Sequence, residues 1–204
     1  MNNNKMLVAH RGGNMKKTFI VGIAGGSGSG KTTFSKELLK KCKGYNVKLI
    51  RMDDFFKPEE ELPMAHAFLS KENTYRDYNH PDSFFMSDFI EEVKSCTESG
   101  FDVVILEGLF VLWDERIFDL LDLKIYIDCN GDERIVRRIN RNMTWGLSME
   151  EITKVYLDLV RYRHNEYVEP TKWRADIIVN GALPFNKVLE VITSHITDSL
   201  NVSE

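Results

Sequence analysis

A glycine-rich loop constrains the fold of this chain more than any other feature of its sequence. It reads Gly-Gly-Ser-Gly-Ser-Gly-Lys-Thr from Gly25 to Thr32, and it follows the continuous apolar run Thr18–Ala24. An apolar run that ends in glycines is typical of a strand buried on both faces, and the pattern from Lys31 to about Lys43 predicts a helix. A strand, a loop of this composition and a helix, in this order, predict a phosphate-binding loop.

The residue types of this loop suit the phosphates of a nucleoside triphosphate. Glycines let the backbone wrap until its N–H groups converge on phosphate oxygens, and the following helix directs its positive end at them. We expect Lys31 to reach the β- and γ-phosphates of ATP and the Thr32 hydroxyl to ligate Mg²⁺. The predicted ATP-binding residues are Gly25, Gly26, Ser27, Gly28, Ser29, Gly30, Lys31, Thr32 and Thr33.

Strands and helices alternate along the chain, which predicts an α/β fold with a doubly wound, mainly parallel five-stranded sheet. Such sheets bind ligands at the carboxyl ends of their strands. The polar and aromatic stretch 55–81 interrupts the alternation, and its length indicates a functional excursion. Further strands are predicted at Val47–Met52, Phe101–Leu106, Leu123–Asp128 and Ala175–Val179. Helices are predicted at about 82–99, 114–121, 132–141, 148–167 (with a capping box of Ser148 and Glu151) and after Pro184.

Composition narrows the class of protein. With 43% apolar residues, 28% charged residues and a net charge of −4, the chain lacks the basic excess of a general nucleic-acid binder. No apolar run approaches the roughly 20 residues of a membrane span, and three scattered cysteines indicate reduced thiols in the cytoplasm. One domain is expected for residues 17–204, and the polar residues 1–16 are expected to form a disordered extension, with Met15 as an alternative start.

Acidic side chains end two further predicted strands, Asp53 and Asp54 after the second and Glu107 after the third. Transfer of a phosphoryl group to a hydroxyl requires one carboxylate to accept the proton and another to hold Mg²⁺ or its water. Because side chains alternate along a strand, only one of the two aspartates is expected to face the site, and periodicity does not decide which. Glu107 follows the stretch 101–106, in which five of the six residues are apolar, and is expected near the magnesium ion.

Four arginines share one face of the helix predicted after the fourth strand. Like charges at this spacing destabilise a helix by a few tenths of a kcal/mol, so an anionic partner is expected. Local pairing with Asp132 or Glu133 is one alternative. The other is a lid around residues 132–147 that closes over ATP and places one or two guanidiniums on the transferring group, a role in which Arg161 and Arg163 are weaker candidates. The four are Arg134, Arg137, Arg138 and Arg141.

Other phosphate-loop classes lack support in the sequence. A GTPase needs an Asn-Lys-x-Asp motif, but the Asn-Lys pair at residues 186–187 is followed by Val188 and Leu189. A transport ATPase would carry an LSGGQ-like signature and an Asp-Glu pair after the third strand, where this chain has Glu107 and Gly108. A kinase is therefore predicted.

Six segments in a fixed order carry a resemblance to a known family. They are GGSGSGKTT (25–33), MDDFF (52–56), HPDSF (80–84), LEG (106–108), the arginine helix 132–141 and PTKWRADIIVNG (170–181). Together they resemble the uridine/cytidine kinase family, within the phosphoribulokinase- and uridine kinase-like phosphate-loop enzymes. The resemblance runs from about Lys17 to the C-terminus.

The resemblance implies ATP-dependent phosphorylation of a small-molecule hydroxyl, foremost the 5′-hydroxyl of uridine or cytidine, with Mg²⁺ as cofactor. It makes Asp53 the general base, His80 a contact to the pyrimidine edge and Tyr78 an aromatic wall for the base. Asp82 is expected near the sugar or as the cap of the next helix. The implied catalytic set is Asp53, Lys31, Arg138 and Arg141.

Two departures from the family pattern keep other acceptors open. Phe85 follows HPDSF where the family usually has an acidic residue, and the segment 53–61 (DDFFKPEEE) is more similar to nicotinamide riboside kinases. Nicotinamide riboside, pantothenate and a sugar phosphate are the alternative acceptors, and a non-catalytic ATP-binding switch is the alternative of a different class. A homo-oligomer is left open, and no nucleic-acid or membrane partner is expected.

Overall fold

A five-stranded parallel sheet forms the centre of the protein, whose computed structural model describes residues 17–202. The extension predicted for residues 1–16 lies outside this range. The strands are β1 (Phe19–Gly25), β2 (Val47–Arg51), β3 (Met64–His66), β4 (Thr74–Arg76), β5 (Val103–Glu107), β6 (Leu123–Asp128) and β7 (Ile177–Asn180). The central sheet has the order β2-β5-β1-β6-β7 with every neighbouring pair parallel, which confirms the predicted sheet.

Helices cover both faces of the sheet because successive residues of a strand point to opposite sides. Along β1, Ile20 and Ala24 join one core, and Val21 and Ile23 join the other. The first core includes α2, and the second includes α1 and α7. The helices are α1 (Lys31–Lys41), α2 (Met86–Glu98), α3 (Glu115–Phe118), α4 (Gly131–Met143), α5 (Met149–Val155), α6 (Arg161–Arg163) and α7 (Asn186–Val202).

Two predicted helices differ from the structure, one in where it begins and the other in its internal geometry. The helix predicted from residue 82 starts at Met86, because Pro81–Ser83 forms a separate 3-10 turn in which the His80 side chain accepts the Asp82 N–H. The prediction that Asp82 caps this helix is therefore wrong. The helix predicted at 148–167 starts with the expected capping box at Ser148 and continues past Val155 through two π-helical stretches, 156–160 and 164–168.

The excursion between β2 and α2 contains an antiparallel hairpin of β3 and β4, which the sequence did not predict. Contacts tie this hairpin to the π-helical region that follows α5. The Tyr75 hydroxyl donates to Asp158 Oδ2 at 2.8 Å, and the rings of Phe68 and Tyr162 stack with centroids 4.3 Å apart. The hairpin is thereby held beside the carboxyl edge of the sheet.

The described residues contain no helix that is long and apolar enough to span a membrane. The cysteines Cys42, Cys96 and Cys129 are buried and free, and burial raises the pKa of each thiol. Such thiols are poor nucleophiles near neutral pH.

Candidate active site

The phosphate loop connects β1 to α1, and its conformation requires glycine. Gly28 and Gly30 have φ angles of 83° and 106°, in the left-handed region that side chains disfavour. A Cβ atom at Gly28 would lie 2.7 Å from the Arg134 carbonyl oxygen, so α4 packs directly on the loop. The sequence pattern of the loop is thus explained by backbone geometry and by close packing.

Lys31 is buried at the start of α1, with its side chain directed back into the loop. Its Nζ donates a hydrogen bond to the Gly26 carbonyl oxygen at 3.1 Å. Burial lowers the pKa of Lys31, and the negative charges of Glu107 and Asp53 oppose this effect. The structure therefore places one cation within the field of both carboxylates at the mouth of the loop.

Glu107 lies at the carboxyl end of β5, in register with Ile23 of β1 and Arg51 of β2. Its Oε2 accepts a hydrogen bond from the Thr32 hydroxyl at 3.3 Å. Burial raises the pKa of Glu107, and Asp53 raises it further against the effect of Lys31. A hydroxyl and a carboxylate in contact, with a second carboxylate nearby, are the oxygen donors that Mg²⁺ takes when phosphates and waters complete its shell.

This arrangement fits a magnesium site that ATP phosphates help to complete, rather than a site in which the protein supplies every ligand. Among the described residues, no group of three or more acidic, histidine or cysteine side chains forms a metal site. The predicted ligands Thr32 and Glu107 are brought together by the structure, and their role in binding metal stays a prediction.

The two aspartates after β2 have different surroundings. Met52–Phe55 forms a 3-10 turn, in which Asp54 accepts two hydrogen bonds from Arg51 at 2.5 and 3.2 Å. Asp53 instead acts electrostatically on Lys31 and Glu107. The 3-10 turn replaces the alternation of a strand at this point, and therefore strand periodicity could not decide between them.

Arg138 and Arg141 converge on the outer side of the phosphate loop. Arg138 Nη1 and Arg141 Nη2 both donate to the Ser27 hydroxyl, at 3.0 and 3.2 Å. Burial, together with the like charge of Arg141, lowers the pKa of Arg138 to about 10, and no carboxylate of the described chain contributes to that shift. The Nε of Arg138 is buried without a hydrogen-bond partner among residues 17–202. Two cations that have no carboxylate partner within residues 17–202 thus meet beside the loop.

The other two arginines of α4 have structural contacts. Arg134 Nε donates to the Cys129 carbonyl oxygen at 3.0 Å, under the loop. Arg137 donates to the Gly181 carbonyl oxygen at 2.9 Å. It also pairs with Glu133 at 3.1 Å, which is the local pairing that was one of the two alternatives for this helix face. The arginine face is therefore divided between two residues with backbone contacts, Arg134 and Arg137, and two that meet at the Ser27 hydroxyl, Arg138 and Arg141.

Arg161 and Arg163 lie in the π-helical region. Arg163 pairs with the fully buried Asp77 and with Glu166, both at 2.6 Å. The Arg161 guanidinium stacks over the Tyr162 ring at 4.9 Å. Arg163 therefore links this region to the excursion, and its contacts do not match the phosphate-binding role for which it was a weaker candidate.

A neutral histidine lies beneath the phosphate loop. A Cβ atom at Gly26 would lie 2.6 Å from Arg134 Nη1 and 3.0 Å from His164 Nδ1, and both nitrogens are buried without a hydrogen-bond partner within the described chain. Burial lowers the pKa of His164 to about 3, and the charges of Arg134 and Lys31 add to the effect. His164 Nε2 lies 3.1 Å from Glu169 Oε2. A neutral ring here adds no third positive charge to those of Arg134 and Lys31.

The residues predicted to bind the acceptor lie on the excursion. His80 Nδ1 accepts the Asp82 N–H at 3.1 Å, and the His80 ring packs edge-to-face on Tyr167, with centroids 5.1 Å apart. Tyr78 is 43% exposed and packs on Phe56. The Asp82 carboxylate is exposed and lies 3.6 Å from His80 Nδ1. The Tyr78 ring is thus only partly covered by its neighbour, and the Nδ1 of His80 is already engaged within its own turn.

Two aromatic side chains that were not predicted from the sequence line a cavity of about 540 Å³ beside His80. Trp113 and Tyr167 line it and pack edge-to-face with centroids 5.9 Å apart, and Tyr167 also contacts His80. Trp113 follows Glu107 by six residues, so its place just beyond a strand end was a signal that could have identified it. The remaining lining residues are Asp114, Glu115, Arg116, Glu166, Pro170, Thr171 and Arg174.

The fold and the site define an ATP-dependent kinase of the phosphate-loop class. Residues 67–188 match the model of the "Phosphoribulokinase / Uridine kinase family". The chain is 35% identical to the uridine kinase of Macrococcus caseolyticus (strain JCSC5402) over 212 residues, 92% of this chain and 100% of that protein. It is 34% identical to the uridine kinase of Staphylococcus carnosus (strain TM300), over 92% of this chain and 99% of that one. The chain belongs to the phosphoribulokinase/uridine kinase family.

Solved structures share the fold at low sequence identity. A Silicibacter sp. TM1040 protein, described as a proposed fructose transport system kinase, superposes with a TM-score of 0.58 at 17% identity, covering 81% of this chain and 91% of that one. A structure described as a possible uridine kinase from Bacillus stearothermophilus has a TM-score of 0.50 at 19% identity, with 80% and 89% covered. At these identities the likeness supports the fold alone.

Proposed function

We propose that this kinase transfers the γ-phosphoryl group of ATP to the 5′-hydroxyl of a pyrimidine ribonucleoside, uridine or cytidine. The observation that carries the proposal is the position of Asp53, which acts on Lys31 and Glu107 while Phe56, three residues on, packs against Tyr78. The proposed general base thus lies between the phosphate loop and the aromatic residues of the segment 55–81. The relatives named uridine kinase, which match over nearly the whole chain, support the choice of acceptor.

In the proposed reaction, Asp53 accepts the proton of the 5′-hydroxyl, whose oxygen attacks the γ-phosphorus in line. The bond from that phosphorus to the β–γ bridging oxygen breaks, and ADP leaves. Lys31, Arg138 and Arg141 stabilise the negative charge that develops on the transferring group. Mg²⁺, held by Thr32 and Glu107, would supply further positive charge at the phosphates.

We assign the base of the acceptor to the region of His80 and Tyr78. Because Nδ1 of His80 already accepts the Asp82 N–H, the Nε2 edge of the ring is the one offered to a pyrimidine. Tyr78 is exposed enough to lie against the base, and Asp82 lies at the same turn for a contact with the sugar. A cytoplasmic location and a homo-oligomer stay predictions from the sequence.

Replacing Arg138 or Arg141 by alanine is expected to lower kcat more than it weakens ATP binding. Their contacts strengthen as charge develops on the transferring group, and a charge-assisted hydrogen bond contributes enough for a loss of about 10- to 100-fold each. Steady-state kinetics with ATP titration measure kcat and KM separately. Asn140→Ala, at an exposed position of the same helix, is the control. Loss of ATP affinity with kcat unchanged would make both arginines ground-state binders.

Uridine and cytidine are expected to be phosphorylated with a higher kcat/KM than 2′-deoxyuridine, a purine nucleoside or nicotinamide riboside. A site that hydrogen-bonds the ribose hydroxyls and the base edge leaves its own polar groups unpaired when an analogue lacks these groups. Competition between uridine and nicotinamide riboside, followed by ADP formation and product analysis, tests the assignment. His80→Ala should reduce discrimination among bases more than it reduces catalysis, whereas His66→Ala, on the exposed side of β3, should change neither.

Nicotinamide riboside is the second candidate, since the segment 53–61 is similar to its kinases. If it wins the competition, the acceptor assignment fails and the kinase chemistry stands. Pantothenate and a sugar phosphate belong in the same panel. ADP release that depends on an added acceptor would exclude a non-catalytic ATP-binding switch.

A further inference from the structure

The charges around the cavity of Trp113 and Tyr167 do not balance. Arg116 pairs with Asp114 at 2.7 Å, and Arg174 pairs with Glu115 at 2.6 Å. The third acidic lining residue, Glu166, has Arg163 as its cationic partner. Arg163 also forms an ion pair with Asp77. One guanidinium therefore faces two carboxylates, and the cavity retains one negative charge in excess.

The more exposed of these two carboxylates is Glu166. Asp77 is completely buried, so it is enclosed with Arg163, whereas the Glu166 side chain is 46% exposed and lines the cavity. Arg163 binds Glu166 through the oxygen Oε2. Because a carboxylate has about four acceptor positions and donates none when ionised, this pairing does not exhaust the capacity of Glu166.

Glu166 also lies beside the aromatic walls. Its neighbour in the chain is Tyr167, whose ring contacts both His80 and Trp113. Burial acts to raise the pKa of Glu166, but its hydrogen bond to Arg163 and the Arg163 charge lower it overall, and His80 is close enough to lower it further. An ionised acceptor therefore lies at the edge of an aromatic slot, next to the proposed base contact.

We propose that Glu166 determines specificity by accepting a hydrogen bond from an N–H group on the base of the acceptor nucleoside. The inference rests on the proposed function. Uracil offers its N3–H and cytosine its 4-amino group, and a carboxylate accepts from either. A base without such a donor covers the remaining acceptor positions of Glu166 without giving them a hydrogen bond, and is disfavoured for that reason.

The test compares uridine, cytidine and 3-methyluridine, which lacks the N3–H, as acceptors for the full chain and for Glu166→Gln. The amide removes the charge and keeps the side-chain length, and Arg163 keeps its partner Asp77. We expect kcat/KM to fall about 10- to 100-fold for uridine and cytidine, chiefly through KM, and to change less than about threefold for 3-methyluridine. Glu115→Gln, in the same cavity but paired with Arg174, should leave all three values within about threefold.

Each outcome decides the proposal. An equal loss for all three nucleosides, or no loss for any, overturns the role of Glu166 while the proposed function stands. A preferential loss for nicotinamide riboside would assign the excess charge to a cationic base and overturn the hydrogen-bond role. If wild-type protein phosphorylates no pyrimidine nucleoside, the proposed function fails and this inference with it. Should Glu166→Gln unfold, Glu166→Asp, which shortens the reach by one methylene, is expected to give the same preferential loss.

Discussion

Alanine in place of Lys31 is expected to lower kcat by at least about 100-fold while the fold persists. Removing one preorganised group that stabilises transition-state charge typically reduces kcat by about 10²–10³-fold. Lys31 is the buried cation at the mouth of the phosphate loop, within the field of Glu107 and Asp53. ADP formation at saturating ATP, Mg²⁺ and uridine measures the effect.

The folded state should tolerate this substitution. Burial disfavours the charge of Lys31, and its one described hydrogen bond is to the Gly26 carbonyl oxygen, so alanine removes a desolvated charge together with a single bond. Thermal unfolding and circular dichroism check the fold. Lys36→Ala, at an exposed position of the same helix, controls for loss of a positive charge. Near-normal turnover in a folded Lys31→Ala protein would contradict the role given to this loop.

Asparagine in place of Asp53 is expected to reduce kcat by about 10²–10⁴-fold, the usual contribution of a general base. The substitution keeps the shape of the side chain and removes the proton acceptor. The structure supports Asp53 because its charge acts on Lys31 and Glu107, whereas Asp54 is bonded to Arg51. Single-turnover kinetics with uridine separate the chemical step from product release.

Asp54→Asn is the matched control for this prediction. Asp54 and Arg51 form an exposed pair, which contributes no more than about 1 kcal/mol, so stability and turnover should change little. If the Asp54 variant loses the larger part of the activity, the assignment within the pair is reversed. If neither variant is impaired, the proton acceptor lies elsewhere in the site.

Local sequence features determined the main part of the fold. A continuous apolar run such as the one before Gly25 is stable only when both of its faces are buried, so it predicts a central strand. The φ angles of Gly28 and Gly30 are ones that residues with a side chain rarely adopt, so glycine is needed at both positions. Ser148 and Glu151 satisfy each other's capping needs within a single turn, so this helix start was also predicted correctly. These features depend on neighbours a few residues apart in the chain.

The structure decided what depends on distant residues. Whether an arginine contacts the Gly181 carbonyl, as Arg137 does, or the Ser27 hydroxyl, as Arg138 does, follows from how α4 packs on the loop, and all four arginines look alike in the sequence. The choice between Asp53 and Asp54 depends on a 3-10 turn that replaces the alternation of a strand. Trp113 and Tyr167 lie more than fifty residues apart, yet they line one cavity beside His80.

The sequence by itself thus determined the parallel sheet, the phosphate loop and the kind of chemistry. Each of these is predicted by a short local pattern of residue types that fits one structural role. Only the tertiary structure decided that the charge of Asp53 acts on Lys31, that Arg138 and Arg141 meet at Ser27, and that Glu166 shares Arg163 with Asp77. The physical reason is that burial and charge pairing are set by packing between elements remote in sequence, and the chemistry of an ionisable side chain depends on those surroundings.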